Sequence, residues 1–252
     1  VMNLKNFFTP QKQKFEQQRQ ALNEQFKDML AHTLPDEDLA DLETDIYAGI
    51  RAYLSTPLPD LTTPLIELPM VAVDFETTGL DANRNKLLSV GCVNMLGNQI
   101  KLAQRYHQVI DVEQQLEHDN VCIHQITEQE SQQGESLELV VNDLLLKLAG
   151  KVMLVHFNKI ERHFLTKACL HLYGIKPPFV MVDTLLLANQ SLRKKGFIIE
   201  PRDLTLKNLR QRFYLPNHTA HNALGDAIAT AELYLAMMSQ RDLTSLTLKD
   251  VI

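Results

Sequence analysis

From Pro69 onward, short apolar runs rich in β-branched residues alternate with stretches of helical periodicity, and this alternation constrains the fold more than any other feature of the chain. Runs such as Val71-Ala72-Val73 and Val152-Met153-Leu154-Val155 are too short for a helix and too apolar for a surface loop, so each reads as a buried strand. Strands are predicted from Val71, over residues 87–95, from the Gly97-Asn98 turn to about residue 109, over 152–155 and over 179–182. Helices are predicted over 136–148, 160–173 and 223–237. Such a sequence of elements makes an α/β domain, a sheet covered by helices.

The chain ahead of that domain has a different pattern. Phe15, Leu22, Phe26, Met29 and Leu30 recur at helical spacing among Gln, Lys and Glu, which predicts an amphipathic helix ended by Pro35. Asp36, Glu37 and Asp38 suit the positive end of a second helix dipole, and Leu39, Leu42, Ile46, Ile50 and Tyr53 continue it. The two form a helical hairpin whose apolar stripes pack on the α/β core or on each other, or else dock a protein partner or a second copy of the chain. Pro57, Pro59, Pro64 and Pro69 forbid helix and predict an extended connector. The expected organisation is a helical hairpin and Pro-rich connector over 1–68, the α/β domain over 69–240 and a tail over 241–252.

The formal net charge of −6 argues against a protein that coats long stretches of phosphate backbone, because such binding rests on many Lys and Arg contacts. A site for a short chain end is still compatible with it, since bound cations can supply the positive charge locally. The three cysteines, Cys92, Cys122 and Cys169, show no metal-ligand spacing and read as reduced. No run approaches the ~18 apolar residues of a membrane span, and residues 1–8 lack the apolar stretch of a signal peptide. The expectation is a cytoplasmic protein that does not enter a membrane.

Three acidic clusters carry the chemistry. The first strand ends in Asp74-Phe75-Glu76, and the period of two along a strand sets both carboxylates on one face. Two adjacent acids repel, and an ordered pair needs a cation, a proton or a basic partner, unless it is only an exposed strand end. Thr77-Thr78-Gly79 then turns the chain. In the second cluster a buried strand passes through His156-Phe157-Asn158 into a helix whose first turns hold Glu161. That residue either converges on the strand ends or is a solvated acid favoured by the helix dipole. In the third, His221 and Asp226 flank the start of the last helix, as a proton acceptor and a carboxylate ligand or as an ordinary loop histidine and a helix-start acid. His218 and His221 also have a spacing open to zinc, but no cysteine accompanies them.

In order and spacing, these clusters resemble the three motifs of the DEDDh exonuclease family, over about residues 69–240, and are most similar to its polymerase-proofreading (epsilon) branch. Asp74-Phe75-Glu76-Thr77-Thr78-Gly79 is similar to the first motif, and His221-Asn222-Ala223-Leu224-Gly225-Asp226 to the third. Ile123-His124-Gln125-Ile126-Thr127 resembles the family's intervening segment. The chain departs from the pattern at the second motif, where Glu161 stands in the usual Asp position and Phe157-Asn158 replaces Asn-Ala.

The resemblance implies a ribonuclease H-like mixed sheet flanked by helices. It implies two divalent ions, Mg²⁺ or Mn²⁺, on Asp74, Glu76, Glu161 and Asp226, and His221 as general base. It implies a 3′ end of single-stranded nucleic acid received at Phe75, Thr77, Thr78 and Leu80, and release of nucleoside monophosphates. The altered second motif leaves one alternative, a nuclease-fold module that binds nucleic acid or regulates, with turnover reduced or lost.

Overall fold

A computed structural model describes residues 5–33, 46–111, 134–218 and 221–252. The Ile123–Thr127 motif, Cys122 and the first part of the expected second helix lie outside the described residues. The elements in chain order are α1 (Lys5–Thr33), α2 (Ala48–Ser55), β1 (Pro69–Thr77), β2 (Leu87–Leu96), β3 (Gln99–Val109) and α3 (Leu137–Leu148). They continue with β4 (Val152–Val155), α4 (Lys159–Tyr173), β5 (Met181–Asp183), α5 (Thr184–Lys194), α6 (Leu206–Arg212) and α7 (Ala223–Met238).

The five strands form one sheet in the order β3-β2-β1-β4-β5. β1, β2 and β3 are antiparallel neighbours, while β4 and β5 run parallel to β1. The carboxyl ends of β1, β4 and β5 therefore open at the same edge, where ligands of open α/β sheets gather. This mixed sheet flanked by helices, with an N-terminal helix before it, is the ribonuclease H-like arrangement.

Strand periodicity divides β1 between two cores. Val71, Val73 and Phe75 face one layer with Leu144 of α3, Phe164 and Leu165 of α4 and Ile50 of α2. Met70 and Ala72 face the other, with Ala231, Tyr234 and Met238 of α7. A third cluster joins α5, α6 and α7 through Leu192, Leu209 and Leu233.

Local signals start and stop the helices. Ser136 caps α3 by accepting from Leu139 N at 3.3 Å, with Glu138 in the first turn and Lys147 in the last, both favourable to the dipole. Gly174, at φ 68°, ends α4 in the left-handed conformation. Asp183 caps α5 through Leu185 N, and Asn222 caps α7 through Gly225 N.

The N-terminal helix is used inside the chain. Phe26 of α1 is buried, within 5.8 and 6.0 Å of the Tyr47 and Tyr173 rings. Arg19, fully buried, donates to the carbonyls of Tyr53 and Thr56, and its guanidinium lies 4.7 Å from the Tyr53 ring centroid. Phe26 and Leu22 of the predicted stripe thus pack on the core, while Met29 is 41% exposed. Among the described residues the second helix is short, Ala48–Ser55, and Gly49 N donates to Asn142 Oδ1 of α3 at 2.6 Å.

The connector is not merely extended: it contains a 3₁₀ turn at Leu65–Glu67 and zips to the chain's last residues. Leu65 N and Ile66 N donate to the Leu246 and Leu243 carbonyls, and Leu248 N and Lys249 N donate back to Thr63 and Leu61. Leu248 and Val251 join the second core, so residues beyond α7 cover the sheet. Among the described residues no helix is long and apolar enough to cross a membrane.

Candidate active site

The residues on the α7 side of β1 continue from Met70 and Ala72 to Asp74 and Glu76, so the sheet's own periodicity aims both carboxylates at the start of α7. Asp226 stands in the first turn of that helix. What lets the helix come so close is Gly91, the partner of Asp74 across β1 and β2. A Cβ at Gly91 would lie 2.1 Å from both Ala223 C and Leu224 N, so only glycine admits this contact between backbones. Carboxylate oxygens of Asp74, Glu76 and Asp226 consequently lie within 4.8 Å of one another.

Glu161 approaches from the opposite layer, in the first turn of α4 beyond the end of β4. It lies outside that tight trio, yet its charge acts directly on Asp74. Burial pushes the Asp74 carboxyl well up, and Glu161, Asp226 and Glu76 add repulsion in that order. Burial likewise pushes Glu161 up to about 8; its own backbone N–H opposes the shift and Asp183 adds to it. Glu161 is 2% exposed, and its Oε2 has no hydrogen-bond partner. Four crowded carboxyls, two of them resisting ionisation, form a site short of positive charge. Hard oxygen donors in this arrangement fit divalent cations of the Mg²⁺ class.

The turn that delivers Glu161 is held from a distance. Phe157 sits at φ 72°, a left-handed conformation unfavourable to a bulky residue. Asp183 at the end of β5 accepts from Phe157 N at 3.1 Å and from Asn158 N at 2.9 Å, while also capping α5. One buried carboxylate thereby fixes two segments. His156, in the same turn, reaches Thr184 Oγ1 at 2.8 Å and the Leu204 carbonyl at 3.0 Å, and its burial lowers its pKa.

The third cluster is arranged differently from its simplest sequence reading. His218 Nε2 lies 2.7 Å from Asp226 Oδ1, and the backbone N of His221 donates to Asp226 Oδ2 at 2.8 Å. His221, at φ 65°, is exposed. Of the residues expected to receive a nucleotide, Leu80 is 77% exposed, while Thr77 is buried with Oγ1 donating to the Gly79 carbonyl. Thr78 donates to Asn85 Oδ1. The Phe75 ring lies in the opposite core, on the face of β1 away from Asp74 and Glu76.

Three positioning residues escaped the sequence reading, in whole or in part. Gly91 carried a signal, since glycine inside a strand marks close approach of another backbone. Asp183 makes a local contact as the cap of α5, but its role as the anchor of the Phe157 turn spans 26 residues. His218 was weighed only for zinc, and nothing in the local pattern pairs it with Asp226.

The profile of the exonuclease family (RNase_T) matches residues 71–234. Among similar proteins, the PolC-type DNA polymerase III of Thermotoga maritima is 27% identical over 217 residues, covering 81% of this chain and 15% of the relative. The DNA polymerase III epsilon subunit of Rickettsia typhi is 25% identical over 181 residues, 69% of this chain and 76% of the relative. The chain thus spans about 15% of the length of the PolC-type relatives it matches.

Among solved structures, the nuclease domain of 3′hExo, a DEDDh family member bound to rAMP, superposes with a TM-score of 0.57 at 14% identity, over 68% of this chain and 92% of that one. E. coli exonuclease I in complex with a dT13 oligonucleotide gives 0.56 at 15% identity, over 69% and 42%. These likenesses bear on the fold alone. With the motif set, the sheet order and the profile match in agreement, the chain belongs to the exonuclease family and is similar to the epsilon subunit of bacterial DNA polymerase III.

Proposed function

We propose that the chain removes nucleotides one at a time from the 3′ end of single-stranded nucleic acid, DNA in preference to RNA, and releases nucleoside monophosphates. The observation that carries this reading is the meeting of Asp74, Glu76 and Asp226 within 4.8 Å, with the uncompensated Glu161 beside Asp74. Asp74, Glu76, Glu161 and Asp226 would hold two divalent ions, Mg²⁺ or Mn²⁺. Bound there, such ions supply charge stabilisation to the attacking and leaving oxygens of an in-line displacement.

The chain's own residues do the rest. His221, exposed at the mouth of the site, takes the proton of the attacking water. Leu80 offers an exposed apolar surface to the last base, and the backbone of Phe75, Thr77 and Thr78 borders the terminal sugar. His218 orients the Asp226 carboxylate. A preference for DNA follows the polymerase subunits to which the chain is similar, and the dT13 complex of exonuclease I supports a single-stranded substrate. Cys92 and Cys169, both buried free thiols, accord with a cytoplasmic setting.

The test is product analysis on 5′-labelled dT12 and its RNA counterpart with Mg²⁺ or Mn²⁺. The expected result is a ladder that shortens by one nucleotide from the 3′ end, abolished by Asp74→Asn and slowed about 10²–10⁴-fold by His221→Ala. Slowing by His218→Ala, with His221→Ala near wild type, would reassign the base to His218. Tight binding of both strands without any shortening would leave the alternative, a nucleic-acid-binding module of nuclease fold.

A further inference from the structure

The chain's acidity is not evenly spread. Residues 193–214 hold seven Lys and Arg against two acids, in a chain with a formal net charge of −6. Three of the seven have polar partners: Arg210 is buried against the Ala229 carbonyl and Glu232, Arg202 pairs with Glu200, and Arg193, though exposed, donates from Nε to Asn189 Oδ1 at 2.8 Å. Arg193, Lys194, Lys195, Lys207 and Arg212 remain on the exposed surface of α5, α6 and the link between them.

Aromatic rings stand among these cations. Phe197 is 49% exposed, with the Arg212 guanidinium 4.4 Å from its ring centroid. Tyr214 is 96% exposed and has φ 56°. It occupies the left-handed position that closes α6, where Leu215 N donates to the Arg210 carbonyl at 2.9 Å. Glycine fills such a position at no steric cost, whereas a tyrosine is strained there. The fold thus sets a bulky ring in an unfavourable conformation and leaves nearly all of it in solvent. No packing demand within the described residues accounts for it.

The patch is tethered to the carboxylates at two points. Tyr214 lies four residues before His218, which touches Asp226, so the two Cα atoms are at most roughly 15 Å apart. The link between α5 and α6 returns through Leu204, whose carbonyl meets His156. At about 3.4 Å per stacked nucleotide, 15 Å corresponds to four or five nucleotides.

We propose that this surface binds the single strand upstream of the 3′ end, with Arg193, Lys194, Lys195 and Arg212 on its phosphates and Phe197 and Tyr214 stacked on its bases. Exposed aromatics interleaved with cations are the chemistry by which single strands are held without regard to sequence. The inference rests on the reading of the site as one for a 3′ end, which says where the strand leads. A dinucleotide would fill the carboxylate site alone, while a dodecamer would also cover the patch.

The experiment measures affinity of the full chain for labelled dT2 and dT12 in EDTA at several salt concentrations, alongside hydrolysis of both with Mn²⁺. The variants are Tyr214→Gly, which removes the ring and suits the left-handed backbone, and the double substitution Lys194→Ala with Lys195→Ala. Tyr214→Gly is expected to weaken dT12 binding roughly 5- to 150-fold with no loss of thermal stability. The double variant is expected to reduce the salt slope for dT12 by about 0.7 for each phosphate that a lysine no longer neutralises. Neither should change hydrolysis of dT2.

Unchanged dT12 affinity and salt slope in both variants would overturn the inference, as would displacement of dT12 by polyglutamate at equal charge. Wild-type chain that hydrolyses dT2 without binding dT12 more tightly would overturn it while the exonuclease reading stands. Chain that hydrolyses neither strand, yet binds dT12 through Tyr214 and the two lysines, would keep the surface and remove the exonuclease reading.

Discussion

Burial of Glu161 opposes its own charge, and Glu161→Gln turns that opposition into a measurable pH dependence of stability. The substitution keeps the shape and removes the ionisation. A carboxyl moved from 4.5 to about 8 on folding carries a cost on the order of 5 kcal/mol once fully ionised, at ~1.36 kcal/mol per pH unit, of which about 4 kcal/mol falls between pH 5 and pH 8.5. Its folded-state pKa is raised, so the stability it contributes is complete below about pH 4.5 and is lost as pH rises through about 8. Asp74 is raised for the same reason, with Glu161 the leading charge against it, so the two lose protons as a coupled pair.

In EDTA, thermal unfolding of the wild type should therefore show Tm falling from pH 5 to pH 8.5. For a chain of this size, 4 kcal/mol corresponds to roughly 8–16 °C. Glu161→Gln should flatten that fall by most of this amount. The comparison of slopes is insensitive to any fixed cost of burying the amide. Adding Mn²⁺ at pH 8 should raise the Tm of the wild type more than that of the variant, because a cation that binds only the folded state stabilises by mass action. Parallel pH profiles in EDTA for the two proteins would refute the argument that Glu161 is held protonated by burial beside Asp74.

The other predictions concern how the site is assembled. Gly91→Ala should force the start of α7 off the sheet, costing about 1–3 kcal/mol and lowering turnover on the order of 10²-fold as Asp226 shifts; wild-type rates and Tm would contradict the close contact. Asp183→Ala removes the acceptor of three backbone N–H groups and should destabilise by on the order of 3 kcal/mol in chemical denaturation, with loss of Mn²⁺ affinity as the Phe157 turn relaxes. Glu161→Asp should keep or raise exonuclease rate while Glu161→Ala abolishes it; an unchanged rate in the Ala variant would remove Glu161 from the chemistry.

What the sequence made legible follows from periodicity. Alternation in β1 assigned Asp74 and Glu76 to one face, and the structure sets them in line with Met70 and Ala72. The same alternation also places the Phe75 ring in the opposite core, which its position inside a motif obscured. Strand and helix positions from β1 to α4 were readable because each is a long or strongly apolar run. Helices α5 and α6 were not: α5 follows β5 without a loop, and α6 is seven residues long behind Pro201. The contacts that shape the site, Asp183 to Phe157 across 26 residues and His218 to Asp226, depend on how separate segments meet. No local pattern encodes them.

In the proposed reading, carboxylates from β1, α4 and α7 together hold divalent cations. Anomalous diffraction from crystals soaked in millimolar Mn²⁺ tests it most directly. Peaks are expected within coordinating distance of Asp74, Glu76 and Asp226, with the Glu161 carboxylate turned toward one of them. Absence of anomalous density between Asp74 and Asp226 at saturating Mn²⁺ would contradict it.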